Sequence, residues 1–237
     1  MLAAHWQRPK LVRGAAVALT LGLAGCSGSL SALDPAGPAS AGIATLWWVM
    51  FWGSVALFAL VIGLLLATLA RPGFGSRLSS GGWIVAGGLA MPALVLAVLV
   101  ACAFVQGERL LFVSLGERPM RIEAHARQWA WRFSYPEFPD APQTDGLLLI
   151  PAGRVVEIVA VSEDVIHSFW VPRLGGKIDA IPGHDNTVRL MADRPGTYGG
   201  VCSEFCGTGH TVMRFVVEAH PAETYEAVLR AGDEGPR

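Results

Sequence analysis

The sequence predicts a two-helix membrane hairpin followed by an all-β sandwich or Greek-key barrel. Three observations carry that reading: two long charge-free apolar stretches, a charged second half, and short β-rich runs punctuated there by Gly and Pro. Of 237 residues, 52% are apolar and 16% charged, with a mean hydropathy of +0.45. Soluble domains run nearer a quarter charged, so membrane segments are expected. Residues 107–237 hold eighteen acids against thirteen bases, a balance of −5. An acidic domain disfavours nucleic acid and suits a basic partner.

Residues 1–25 read as a secretory signal: bases at Arg8, Lys10 and Arg13, a short apolar run, then small residues. Leu23-Ala24-Gly25-Cys26 resembles a bacterial lipobox, which implies cleavage before Cys26 and lipidation of its thiol. Residues 26–42 are rich in Ser, Gly, Ala and Pro and read as a linker with no core of its own. The hairpin is expected over residues 43–106. Leu46–Ala70 has no charge and is long enough, at roughly 38 Å of helix, to cross a bilayer. Trp47, Trp48 and Trp52 crowd its first turns, as in an interfacial aromatic belt. Trp83–Val105 is the second span, with Pro92 tolerated inside a bundle and Cys102 as a small packing residue.

The loop between the spans carries Arg71 and Arg77 and no acid, so the positive-inside rule puts it in the cytoplasm. The domain at 107–237 is then periplasmic, and the chain a multi-pass protein of a bacterial inner membrane. Strands are expected over 122–135, 146–150, 155–161, 187–191 and 213–219, separated by Pro/Gly signals such as Pro182-Gly183 and Pro195-Gly196. Pro221 opens a last short helix with Tyr225, Val228 and Leu229 on one face, stopping at Gly232.

The chemistry concentrates in Cys202-Ser-Glu-Phe-Cys206-Gly-Thr-Gly-His210-Thr-Val-Met213. Two thiols, an imidazole and a thioether lie within twelve residues, and His167 stands upstream in Asp164-Val-Ile-His167-Ser-Phe. Soft sulfur with imidazole and an edge Met is the donor set of copper electron transfer. Two Cys and two His also suit structural zinc, although zinc has no use for Met213. A Cys202–Cys206 disulfide is the third reading, and it leaves both His and Met213 without a shared purpose. All three stay open on residue chemistry, with copper favoured.

Four blocks in one order carry a resemblance: Gln128-Trp129-Ala-Trp131, the His167 segment, Lys177-Ile-Asp179-Ala-Ile-Pro-Gly183, and the Cys202–Met213 loop. Over about residues 43–220 the chain resembles cytochrome c oxidase subunit II. The resemblance implies a cupredoxin-like Greek-key domain holding the binuclear copper centre CuA. Its ligands would be the side chains of His167, Cys202, Cys206, His210 and Met213, with the Glu204 backbone carbonyl. It further implies a magnesium ion on the Glu204 carboxylate at the subunit I interface, with Asp179 nearby. Trp129 would be the tryptophan through which electrons enter, and Trp131 an ordinary core aromatic. Glu163 and Asp164 would attract the lysine-rich face of cytochrome c. The implied partners are subunits I and III, cytochrome c and the membrane, with no nucleic acid.

The chain departs from that pattern twice. Aligned on Pro92, Val85 stands where many relatives carry an acid early in the second helix, and His184 replaces a common Arg. The competing functions are a quinol oxidase-type subunit II, a membrane-tethered copper chaperone and a structural scaffold. The first would lack the copper ligands, and the second would carry an exposed, Met-rich site.

Overall fold

The computed structural model describes residues 27–76, 78–111 and 118–232. The signal segment, Cys26 and Arg77 lie outside the described residues. The chain divides into a helical unit, Gly42–Arg118, and a β-unit that joins Pro119 onward to the stretch ending at Ala41.

Helix α1 spans Pro38–Ala70 and starts eight residues before the expected Leu46. Its first residues are Pro, Ala, Ser and Gly, which carry no hydropathy signal, while Pro38 suits a first helical position because its missing N–H has no partner there anyway. Both this helix and Ser80–Val105 are long and apolar enough to cross a membrane. Their large side chains point outward all round, as at Phe58, Leu69, Leu94 and Phe104, which suits a lipid-facing helix. Trp47 stacks on Phe51 at 5.2 Å and Trp48 on Trp52 at 6.5 Å, so the aromatic residues of these turns cluster.

The second span begins as α2 (Ser80–Trp83), widens into a π-helix over Ile84–Ala90, and continues as α3 (Met91–Leu111). Pro92 explains the widening, because it cannot donate to Gly88 and its ring would crowd that carbonyl. Val85 lies in the π stretch with its side chain exposed.

The β-unit is two five-stranded sheets. The first orders its strands β3-β2-β1-β5-β8, from β1 (Met120–Arg127), β2 (Ala130–Ser134), β3 (Thr144–Asp145), β5 (Val156–Ser162) and β8 (Asn186–Leu190). The second orders them β4-β10-β9-β6-β7, from β4 (Leu147–Pro151), β6 (His167–Trp170), β7 (Ile178–Ala180), β9 (Gly196–Cys202) and β10 (Arg214–His220). The expected sandwich is present. The run at 122–135, however, breaks at Gln128–Trp129, where β1 turns back into β2 with Arg127 paired to Ala130.

Alternation fixes which faces meet. Met120, Ile122, Ala124 and Ala126 point inward from β1, while Arg121 and Arg127 stay in solvent. The core is aromatic: Phe169 stacks on Phe215 at 4.9 Å, and Trp131 meets Phe215 at 5.6 Å and Phe169 at 5.8 Å. Trp131 is therefore a core residue, as expected. Helix α4 (Ala222–Ala231) buries Tyr225 and Leu229 and stops at Gly232 in the left-handed region, φ 59°.

Gly200 leaves the space that Phe215 fills, since a Cβ there would overlap the Phe215 ring. Gly200→Ala is expected to cost about 2–3 kcal/mol of β-unit stability, the scale of an overpacked core. A chemical-denaturation midpoint unchanged from the parent would contradict this.

Residues 28–41, read from composition as a coreless linker, pack on the β-unit: Ala36 and Ser40 are buried, and Ala36 N–H donates to the Arg173 carbonyl at 2.8 Å. The small side chains that resemble a flexible tether allow this close approach.

Candidate metal centre

His167 opens β6, where it pairs with Ala180 of β7. Cys202 closes β9 and pairs across to Phe169 of β6. Between β9 and β10 the chain makes a tight loop. Ser203 N–H donates to the Ser168 carbonyl, His210 N–H to Gly207 and Cys202 N–H to Met213, at 2.9, 3.1 and 3.0 Å. Gly207 makes the turn possible with φ 115°, a value that L side chains rarely adopt. A 3₁₀ turn, His210–Val212, then delivers Met213 to the sheet.

These elements bring the five expected side chains together. Cys202 Sγ lies 3.8 Å from Cys206 Sγ and 3.9 Å from His167 Nδ1. Cys206 Sγ lies 3.7 Å from His210 Nδ1 and 3.8 Å from Met213 Sδ. The Glu204 carbonyl oxygen sits 3.3 Å from Cys202 Sγ. Two sulfurs thus stand side by side, with an imidazole nitrogen beyond each and a weak donor near each. The two cysteines are free thiols, and their separation far exceeds the roughly 2.05 Å of a disulfide. His167, Cys202, Cys206 and Met213 are all buried.

Burial, with Cys202 beside it, pushes the Cys206 thiol up to about 11. The Cys206 thiol therefore becomes a thiolate readily only when a cation replaces its proton, which makes metal uptake there proton-releasing. Soft sulfur, two imidazole nitrogens and a thioether fit copper in donor type.

Several neighbours hold the ligands, and sequence reading missed some of them. Asp164, expected on a docking face, turns its carboxylate inward: Oδ1 meets His167 Nε2 at 2.7 Å, and Oδ2 accepts Gln128 N–H at 2.8 Å. Burial raises the Asp164 carboxyl, but the donors on Gln128, His167 and Val165 outweigh it, leaving it below the ordinary carboxylate range. Because Nε2 faces a carboxylate, Nδ1 is the His167 nitrogen left for a metal. Glu163 remains exposed.

The Gln128–Trp129 turn roofs the loop, and Gln128 Nε2 and Trp129 Nε1 both donate to the Cys206 carbonyl, at 2.8 and 3.2 Å. A Cβ on Gly209 would overlap the Trp129 ring. Trp129 is nonetheless 41% exposed, so one indole touches both solvent and the ligand loop. Gln128 gave no signal by itself, since it falls inside the run expected as one strand over 122–135. Phe205 and Val212 project into solvent beside the loop, forming an apolar rim.

Glu204 and Asp179 converge on one cation. Lys177 Nζ lies 3.0 Å from Asp179 Oδ1 and 3.5 Å from Glu204 Oε2. The Lys177 hydrogen bond, with another from Ser168, holds Asp179 below the ordinary carboxylate range. The two carboxylates fit a hard cation in donor type, and a magnesium ion there would displace the Lys177 ammonium. His184 is exposed, with its N–H on the Ile181 carbonyl.

Residues 141–220 match the family model described as cytochrome C oxidase subunit II, periplasmic domain. That span contains every expected copper ligand and leaves Trp129 outside. Over 227 residues the chain is 33% identical to cytochrome c oxidase subunit 2 of Alkalihalophilus pseudofirmus, covering 88% of this chain and 64% of that protein. The chain thus spans a little under two thirds of that relative's length. Among solved structures, the periplasmic domain of cytochrome oxidase subunit II from Bradyrhizobium japonicum is 26% identical with a TM-score of 0.46, covering 51% of this chain and 98% of that one. A chain of a haem–copper terminal oxidase dimer is 27% identical with a TM-score of 0.42, covering 56% of this chain and 97% of that one.

Proposed function

We propose that this chain, similar to cytochrome c oxidase subunit II over residues 141–220 and to one such subunit over 227 residues, is the electron-accepting subunit of a respiratory haem–copper oxidase. It takes electrons from cytochrome c at a binuclear copper centre and passes them to haem in subunit I, where oxygen is reduced. One observation carries this reading: the Cys202 and Cys206 sulfurs lie 3.8 Å apart with His167 and His210 nitrogens beyond them.

His167, Cys202, Cys206, His210 and Met213 would hold the copper, which would supply one-electron storage with little change of charge at each metal. The chain's own residues do the rest. Burial of His167 and Met213 keeps water from the donors, and the aromatic core behind them resists movement. Asp164 fixes the His167 ring and its tautomer. Its substitution, Asp164→Asn, is expected to lower copper affinity about 10–100-fold, as for other outer partners of metal-bound histidines. A competition titration giving parental affinity would contradict this.

Trp129 offers a route from the surface to the Cys206 backbone through its indole hydrogen bond. The exposed rim of Phe205 and Val212, with Glu163 and the acidic balance of the domain, suits a basic redox partner with an apolar contact patch. The β-domain is then periplasmic and the Arg71 loop cytoplasmic, with Cys26 as a lipid anchor. Subunits I and III, and magnesium on Glu204 and Asp179, complete the reading. A copper chaperone is disfavoured because buried ligands such as His167 suit retention rather than exchange.

Anaerobic mixing of the copper-loaded full chain with ferrocytochrome c tests the function. Rapid oxidation of the cytochrome, one electron per chain, is expected. A loaded chain that stays oxidised contradicts it.

A further inference from the structure

The β6–β7 hairpin carries the His167 ligand at the start of one strand and Asp179 in the other. Its second strand is only three residues long and lies at the edge of its sheet, with β6 as its single ladder partner. Short edge pairings fray easily. The hairpin tip, 171–176, closes on itself, as Leu174 and Gly175 donate to the Val171 carbonyl and Trp170 Nε1 to the Gly175 carbonyl.

Residues 29–40 run across this tip as a strap. The Arg173 carbonyl accepts both Ala36 N–H at 2.8 Å and Ser40 Oγ–H at 2.6 Å. In return the Arg173 guanidinium donates to the Asp34 carbonyl at 2.8 Å and pairs with the Asp34 carboxylate at 3.0 Å. Its side chain is 13% exposed and stands over the Tyr198 ring at 5.4 Å. Asp193 N–H donates to the Ala36 carbonyl and Gly199 N–H to Ser29, while Leu30 covers Gly199. Gly37 passes so close to the Met191 and Leu174 carbonyls that a Cβ there would overlap the first. Six polar contacts, four of them on Arg173, thus fasten a segment that contributes little hydrophobic area.

We infer that Arg173 is a positioning residue for the metal centre: by gripping the strap, it fixes the tip of the hairpin that presents His167. The role in the centre rests on the copper reading, whereas the grip does not.

The test uses the full chain in detergent micelles, comparing parent, Arg173→Ala, Arg173→Lys and Asp34→Ala. Amide hydrogen exchange is read without copper, and the copper dissociation rate and electron paramagnetic resonance spectrum after loading. Arg173→Ala is expected to speed exchange at Ile178–Ala180 about tenfold, the scale of one to two lost hydrogen bonds, with β1 and β10 unchanged. Copper release should quicken on the same order, with an altered spectrum. Arg173→Lys should recover part of both, because one ammonium can keep the charge but not the two-pronged grip. If Arg173→Ala does not fold, Asp34→Ala should give the same local pattern, since that carboxylate is partly exposed.

Exchange that is unchanged, or faster equally in both sheets, overturns the inference. Local loosening with copper release and spectrum as in the parent overturns the positioning role. A parent chain that takes up no copper sinks the copper reading and the positioning role with it, whatever the exchange pattern.

Discussion

Replacing Cys202 by Ser is expected to abolish the binuclear centre rather than weaken it. Cys202 Sγ faces Cys206, His167 and the Glu204 carbonyl at once, so in the proposed two-copper centre its loss would take a donor from both metals. A serine hydroxyl is a hard, protonated donor that does not replace a bridging thiolate. Copper content should fall from two per chain to one or none, and electron uptake from cytochrome c should drop beyond the roughly 10–100-fold that losing an outer partner costs. The fold should survive, because Ser is close to Cys in size and its hydroxyl can donate to the Glu204 carbonyl that lies beside Cys202 Sγ. A C202S chain that keeps two coppers and parental electron uptake would contradict the assignment.

Trp129→Phe tests the proposed route of electron entry. Phe retains a ring over Gly209 but lacks the Nε1–H that donates to the Cys206 carbonyl. Copper content and spectrum should match the parent, while oxidation of ferrocytochrome c slows at least about tenfold, the equivalent of a single hydrogen bond in barrier. Stopped-flow mixing at fixed ionic strength reads this directly. A parental rate would place the route elsewhere, and a changed copper spectrum would make Trp129 a structural support of the loop instead.

What the sequence disclosed depended on whether a feature was local. The ligand loop is contiguous from Cys202 to Met213, so its donor types and their softness were visible at once. His167 stands far off in sequence, yet its neighbours Asp164-Val-Ile-His-Ser-Phe formed a second recognisable block. The membrane helices and α4 declared themselves by length, apolar content and end signals. Strands β6, β7 and β9 did not. Two of them are four residues or fewer, and β9 contains Gly196, Gly199 and Gly200, which read as loop when their close-packed neighbours are unknown.

The same blindness hid the strap. Gly37 and Ser40 look like tether residues because only the folded partner, Arg173, reveals why they must be small or hydroxylated. Asp164 illustrates a different limit. Its carboxylate also holds His167 and the Gln128 N–H, a role that no spacing rule reveals before the β1–β2 turn is placed. Lys177 stands within the Lys177–Gly183 block, but that it bridges Asp179 and Glu204 follows only from the meeting of two loops.

The most direct test is electron paramagnetic resonance with metal analysis on the full chain, reconstituted with copper. The full chain is needed because residues 28–41 pack on the β-unit. Two coppers per chain with a seven-line mixed-valence signal is the expected result, since one electron shared by two equivalent copper nuclei gives that pattern. A four-line single-copper spectrum, or a silent chain holding zinc or a disulfide, would contradict it.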